Sequence, residues 1–340
     1  MNLKSILFSA FLASIFCACK KEEDPVMVLP PAESITITLD GKTETSAYAN
    51  VVYLDLSTKL TKSVDRKSWN IAIANGAIKK VFINPSYQST AVVTNKFNLN
   101  EINLDNPGTD VNLNHNISDP TTVSLVDYWD GSLDKTAYAG EVLANDAENK
   151  VYLLSFEGNK EMQNWFKFKI TKTANGTQIE YGRLNDSQFK TIQVPNDEKN
   201  VLSFVSLEND RLVVVEPEIK KWDLAWGYST NDSGLGSPYW VQDFVWTNSL
   251  MGVKVAEVMN SAVSYADFGI LHLSGYNLVG FRNIIGTSWR STQPATGVKT
   301  DRFYIIQDAD GLIFKLKFVS MGLGDGGERG RPVVEYQQIR

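Results

Sequence analysis

Apolar and polar positions alternate along most of this chain, and the alternation predicts strands almost everywhere. Phe166, Phe168 and Ile170 are interleaved with Lys167 and Lys169, and Phe314, Leu316 and Phe318 with Lys315 and Lys317. A period of two puts the apolar set on one face of a strand and the lysines on the other, which reads as core inside and solvent outside. Each run is one arm of a hairpin. Val151–Phe156 meets Trp165–Thr171 through Glu157-Gly158-Asn159, and Arg302–Gln307 meets Ile313–Val319 through Asp310-Gly311, a strong hairpin-turn pair. Ser34–Leu39, Val51–Leu56, Trp69–Ile73, Val81–Ile83 and Thr90–Thr94 are further strand candidates. No window sustains a 3.6-residue period, and helical turns fit only around Ala262–Phe268. The fold class is all-β.

The same patches also occur twice, in the same order. Ser68-Trp69-Asn70-Ile71-Ala72-Ile73 returns as Lys221-Trp222-Asp223-Leu224-Ala225-Trp226, and Thr94-Asn95 returns as Thr247-Asn248. Val151-Tyr152-Leu153-Leu154 returns as Phe303-Tyr304-Ile305-Ile306, Phe166–Lys169 as Phe314–Lys317, and Ile179-Glu180-Tyr181 as Val334-Glu335-Tyr336. A repeat of about 150 residues is domain-sized, too long for a solenoid. The expectation is two similar antiparallel β-sandwich-like domains in tandem, 34–195 and 196–340, divided at the polar stretch Pro195-Asn196-Asp197-Glu198-Lys199. Two segments, Lys96–Tyr138 and Ser249–Thr300, resist a strand reading and fall at matching places in the two copies. Long connections on a β scaffold commonly carry binding residues.

The N-terminus has a different character. Lys4 precedes an apolar stretch from Ile6 to Ala18, too short to span a bilayer, that ends on Cys19. A small residue before the cysteine and a charged, Pro-containing tract after it resemble a bacterial lipoprotein signal, although Phe16 stands where Leu is usual. The alternative is a plain cleaved signal. On the lipoprotein reading residues 1–19 are the signal ending at the lipidated Cys19, 20–33 are a flexible tether, and the mature chain has no other cysteine, hence no disulfide framework. Lys20-Lys21-Glu22-Glu23-Asp24 resembles the tags that send lipoproteins to the outside of the outer membrane. The lipid would be the only membrane anchor.

Charge and composition remove several functions. The net charge is −6 with no Lys/Arg-rich run, so nothing invites nucleic acid. With two histidines, no Gly-x-Ser-x-Gly elbow and no His-Glu-x-x-His pair, catalysis has no constellation to rest on, and no catalytic residue is assigned. Gly322–Gly327 looks like a phosphate loop but leads into another strand, so it reads as a turn. Asp308-Ala309-Asp310-Gly311 holds only half a calcium loop and reads as the hairpin turn.

Binding has better candidates. His115 and His272 each sit in the long connection of one copy, and Met251 and Met259 share the second connection with His272. Imidazole and thioether are axial ligands of haem iron. Against this, Leu271-His272-Leu273 also reads as the exposed side of a strand, Asn114-His115-Asn116 as polar loop, and methionine as core filler. Trp226, Trp240, Trp246 and Trp289 offer flat faces for a porphyrin or a sugar, and Arg290, Arg329 and Arg331 offer forks for carboxylates such as propionates. Sheet packing and pairing with Glu328 are the competing roles.

Taken together, Asp55-Leu56-Ser57-Thr58, Ser68–Ile73, Thr94-Asn95, Lys221–Trp226, Val245–Asn248, the Asp301–Gly311 stretch, Phe314–Phe318 and Val334–Tyr336 resemble the HmuY family. The resemblance covers most of the mature chain, best from about residue 200 onward. It implies an all-β lipoprotein at the outer membrane, exposed on the cell surface, that binds haem between two axial His or Met side chains and passes it to a TonB-dependent receptor. No metal other than haem iron is implied. One histidine per copy departs from a ligand pair within one domain. The binding site is expected in Ser249–Arg290. A carbohydrate-binding lipoprotein of a glycan-uptake system, or a structural adaptor without ligand, are the alternatives.

Overall fold

Strand boundaries follow the alternation. In the structure, a computed structural model describing residues 32–339 apart from 77, 78, 111 and 115, β1 spans Ile35–Thr38 and β2 (Asn50–Asp55) turns into β3 (Leu60–Asp65). Next come β4 (Ile71–Ala74), β5 (Val81–Ile83) and β6 (Thr90–Val93). After the first long connection follow β7 (Tyr152–Ser155), β8 (Phe166–Thr173), β9 (Gly176–Arg183) and β10 (Lys190–Pro195). A short hairpin, β11 (Leu202–Ser206) and β12 (Arg211–Val213), leads to β13 (Leu224–Asp232), β14 (Pro238–Thr247) and β15 (Lys254–Met259). The chain closes with β16 (Arg290–Ser291), β17 (Gly297–Val298), β18 (Arg302–Gln307), β19 (Ile313–Ser320) and β20 (Val333–Ile339). The helices among the described residues are short 3₁₀ turns, none long and apolar enough to cross a membrane. The signal, the tether through Pro31, Cys19 and His115 lie outside the described residues.

Pairing is antiparallel throughout, and it makes the duplication visible. One five-stranded sheet runs β10-β9-β8-β7-β6 and another β1-β20-β19-β18-β15; two four-stranded sheets run β12-β11-β4-β5 and β3-β2-β13-β14. The registers match position by position: Phe168 opposite Tyr181 corresponds to Leu316 opposite Tyr336. Side chains repeat it too. Asn70 Oδ1 accepts from the Leu207 N–H at 2.8 Å, and Asp223 Oδ2 accepts from the Leu56 N–H at 2.8 Å.

These pairings cross the expected boundary at 195/196. The β11–β12 hairpin, which follows that boundary, completes the first copy's four-stranded sheet on β4; the β2–β3 hairpin, which precedes it, completes the second copy's on β13. Likewise β1 closes the sheet of β20 at the far end of the chain. The copies therefore exchange hairpins, and the described residues form one compact unit.

The apolar clusters order four sheets as layers. One core joins the β6–β10 sheet to the β4–β11 sheet, with Ile71, Ile73 and Val205 facing Phe166, Phe168 and Tyr181. A second joins the β13–β2 sheet to the β18–β20 sheet, with Val52, Leu54 and Trp226 facing Tyr304, Phe314 and Tyr336. The third lies between the two inner sheets and contains Val51, Tyr53, Trp69, Ala72, Phe204, Trp222 and Trp246. Inner strands are thus buried on both faces, which explains why Val51–Leu56 is nearly continuously apolar. Gly41 is fixed by this packing, since a Cβ there would lie 2.4 Å from the Trp226 ring.

The outer faces of the five-stranded sheets are covered as well, by the long connections. Leu99, Ile102, Leu113 and Leu125 pack on Val151, Leu153 and Trp165. Phe268, with Val263, Tyr265 and Ile270, packs on Val258, Phe303 and Ile305. The alternating lysines are consequently not solvated as the pattern suggests: Lys167 is 1% and Lys315 5% exposed. The Lys167 ammonium donates to the carbonyls of Ile102, Leu184 and Asp186 at 2.7–2.9 Å. The Lys315 ammonium donates to those of Tyr265 at 2.7 Å, Phe268 at 3.0 Å and Ala266 at 3.4 Å. Burial lowers the pKa of both lysines.

Three further expectations change. The pairing of Thr94-Asn95 with Thr247-Asn248 is incorrect: the equivalent of Asn248 is Asn84. Asn84 Nδ2 donates to the Trp69 carbonyl at 2.8 Å and Asn248 Nδ2 to the Trp222 carbonyl at 3.0 Å. The second connection accordingly contains β15, the second copy's counterpart of β6, and is not strandless from Ser249 to Thr300. Leu271-His272-Leu273 lies in a 3₁₀ turn, Ile270–Gly275, where a strand side was expected.

Candidate functional site

The inner sheets do not close completely. Between them lies a cavity of about 110 Å³ whose walls come in equivalent pairs: Trp69 and Trp222, Tyr53 and Phe204, Phe82 and Trp246. Tyr53 meets Trp222 edge-to-face with centroids 5.1 Å apart, and Phe204 meets Trp69 in the same way at 4.9 Å. Edge-to-face packing holds the rings without filling the space between the sheets.

Three charged groups break the symmetry of this aromatic frame. Arg282 lies over the Trp246 ring, its guanidinium carbon 5.0 Å from the centroid. Its backbone bridges the copies, the N–H donating to the Asp130 carbonyl and the carbonyl accepting from the Thr247 N–H, both at 3.0 Å. Gly131 allows this approach, because a Cβ there would sit 2.9 Å from the Arg282 Cβ at a φ of +85°. Asp127 accepts from the Ile83 N–H at 2.8 Å and the Ala137 N–H at 2.9 Å. Glu216 follows β12, and its carbonyl accepts from the Lys62 ammonium at 3.2 Å. Burial pushes the carboxyls of Asp127 and Glu216 up to about 7, and burial lowers Arg282 against the attraction of Glu216, Tyr53 and Asp127. Arg282 and Glu216 interact through space across the cavity, without an ion pair or side-chain hydrogen bond between them.

Of the aromatic candidates, Trp246 lines this cavity. Trp240 is half-buried near the start of β14. Trp226 and Trp289 cannot stack on a ligand, since both are fully buried in the second core, Trp289 against Phe318 with centroids 4.1 Å apart. The arginines are committed elsewhere. Arg290 donates to the Gln242 carbonyl at 2.6 Å and lies 3.9 Å from the buried Asp243 carboxylate; Arg329 pairs with the same carboxylate at 2.8 Å. Tyr48 donates to it at 2.9 Å. Arg331 pairs with Asp40 at 2.8 Å and with Glu328 at 3.2 Å. Propionate pairing by these three arginines would first require breaking those contacts.

His272 is exposed on its 3₁₀ turn. Phe268 lies behind its ring, centroids 5.4 Å apart, and Leu271 beside it is 71% exposed. Its Nδ1 accepts from the Gly269 N–H at 3.2 Å, which places the proton of the neutral ring on Nε2. Nε2 becomes a metal ligand only when that tautomer is given up. Met251 ends a 3₁₀ turn beside the cavity-lining Ser249 and Leu250, and Met259 ends β15 opposite Arg302; both are half-buried.

The glycine-rich and calcium-like loops are turns. Asp325 fills the loop's own ring of donors, accepting from the N–H groups of Gly322, Met321, Val298 and Gly327 at 2.8–3.2 Å. Asp308 accepts from Asp310 and Leu312 N–H at 2.9 and 2.8 Å. Asp55 does the same at the end of β2, accepting from the Ser57 hydroxyl at 2.7 Å and the Thr58 N–H at 3.0 Å.

Sequence reasoning missed Tyr53, Trp69, Phe82, Asp127, Phe204, Glu216, Trp222 and Arg282 as a site. Their one available signal was the repetition of Trp69 as Trp222, which marks an equivalent position but not a shared space.

No curated protein matches the chain. The HmuY protein family does, over residues 47–336, a span that begins ahead of β2 and reaches into β20, taking in both copies and all four layers. That family consists of haem-binding proteins associated with the outer membrane, rather than enzymes, and its match extends over most of this sequence: the chain belongs to the HmuY family.

Proposed function

We propose that the protein is a cell-surface lipoprotein, anchored through Cys19, that takes up haem or a related tetrapyrrole and passes it without chemical turnover to an outer-membrane TonB-dependent receptor. Family membership is the observation that carries this reading. The described residues fit haem as an attachment at the surface of the second copy. There the His272 imidazole stands exposed against Phe268 and next to Leu271, so that a porphyrin face would meet apolar side chains. The inter-sheet cavity does not fit the group: about 110 Å³ is the space of roughly one small ring. When bound, haem supplies the iron that the imidazole ligates. The protein's own part would be to release the Gly269 hydrogen bond, so that Nδ1 can take the ring proton and leave the Nε2 lone pair free, and to shield one porphyrin face from water.

Titration of the chain without its lipid anchor, residues 20–340, with ferric haem tests this reading. The Soret and visible bands should shift and saturate, and His272→Ala should abolish the shift. A spectrum equal to that of free haem at every ratio would overturn the haem reading; retention on a polysaccharide gel in the same samples would favour the carbohydrate alternative.

A further inference from the structure

The cavity between the inner sheets lies apart from the proposed haem attachment, and its chemistry differs. We infer that it is a second binding site, one that takes a neutral, polyhydroxylated ring such as the terminal hexose of a glycan. Arg282 and Glu216 face the same space without touching each other, and Asp127 stands in the same wall. A carboxylate ligand entering here would gain Arg282 but meet two acids. An ammonium ligand would gain the acids but meet a guanidinium already seated on the Trp246 face. Hydroxyl groups escape both penalties, because each can accept from Arg282 and donate to Glu216 or Asp127.

Size and walls agree with the charges. The cavity, about 110 Å³, takes the inner part of one ring. It is lined at Tyr128–Trp129, Gly131–Ser132 and Ser249–Leu250 by residues outside the strands, of which Leu250 is exposed, so the rest of a longer ligand has a way out to solvent. Trp69 and Trp222 supply apolar surface for the C–H face of such a ring. Burial, which holds both acids up to about 7, leaves each able to act as donor or acceptor near neutral pH.

Saturation-transfer NMR and intrinsic tryptophan fluorescence on residues 20–340, with glucose, galactose, mannose, maltose and lactose as probes, test the inference. At least one of these neutral sugars should give saturable binding, weakened tenfold or more by both Arg282→Gln and Glu216→Gln. Benzoate and benzylamine, rings of similar size carrying one charge, should bind more weakly than that sugar. Absence of saturable binding by all five sugars, tighter binding of either charged ring, or full retention of binding in a folded Glu216→Gln protein would each overturn it. Ferric haem titrated into the same samples reports separately on the surface attachment, so loss of one activity is distinguishable from loss of the other.

Discussion

Asn70 and Asp223 hold the same place in the two copies, and the difference between them shows how a duplicated fold diverges. Both accept a backbone N–H from the exchanged hairpin at 2.8 Å. Asn70 also donates, through Nδ2 to Glu208 at 3.2 Å. Asp223 has no proton to donate when ionised and lies near Asp55, Asp308 and Asp310; burial, with those neighbouring charges, pushes its pKa up to about 7. The architecture is kept by the shared acceptor, while the electrostatic load falls on the second copy alone. Across the central cavity, too, the aromatics are paired between the copies while the charges of Asp127, Glu216 and Arg282 are not.

The largest effects are expected where the copies use different side chains for the same core. Trp226 occupies the position of Ile73, one in each core. Trp226→Ala should cost about 4 kcal/mol and Ile73→Ala about 3 kcal/mol in a urea titration. Equal and small losses would show that the two cores are not packed as described. Next come the buried lysines. Lys315→Met and Lys167→Met each leave three carbonyls without their donor and should cost about 3 kcal/mol. Hydrogen exchange should separate them. Lys315 binds only the second connection, so its loss should expose residues 262–278; Lys167 also binds Leu184 and Asp186, so its loss should loosen the β9–β10 turn as well.

A smaller, pH-dependent effect sharpens the Asn70 and Asp223 comparison. An acid whose folded pKa is raised favours folding while protonated, and that contribution is lost as pH rises from about 4 through about 7. Asp223→Asn should therefore stabilise the protein by about 2 kcal/mol at pH 8 and change little at pH 4. Asn70→Asp should do the reverse, destabilising more at pH 8 than at pH 4. Thermal unfolding at the two pH values decides it, and a pH-independent difference would contradict the assignment. Smallest of all, His272→Ala should shift stability by less than about 0.5 kcal/mol, because the ring is exposed. A larger loss would give His272 a structural role and weaken its use as a ligand probe.

What the sequence made legible was local. Period-two alternation located the hairpins at Val151–Thr171 and Arg302–Val319, and repeated motifs revealed the duplication. What stayed hidden was non-local. Nothing in Val51–Leu56 says that its partner is β13, about 170 residues away, since antiparallel pairing leaves no mark of which strand is chosen. The burial of Lys167 and Lys315 was hidden for the same reason: alternation marks a face as separate from the core but not as open to water. Asn95 and Asn84 both end strands of the first copy, and only the hydrogen bond to Trp69 shows which one matches Asn248. The cavity is the extreme case, because its walls come from both copies and both exchanged hairpins.

The central claim is that the second copy carries the haem-type ligand while the first supports it. Backbone NMR of isotope-labelled residues 20–340 with one equivalent of ferric haem tests it directly, since the paramagnetic iron broadens signals near it. Broadening centred on residues 268–281 is the predicted result. Broadening centred on the first connection, residues 96–138, or no localised broadening at saturation, would contradict the account.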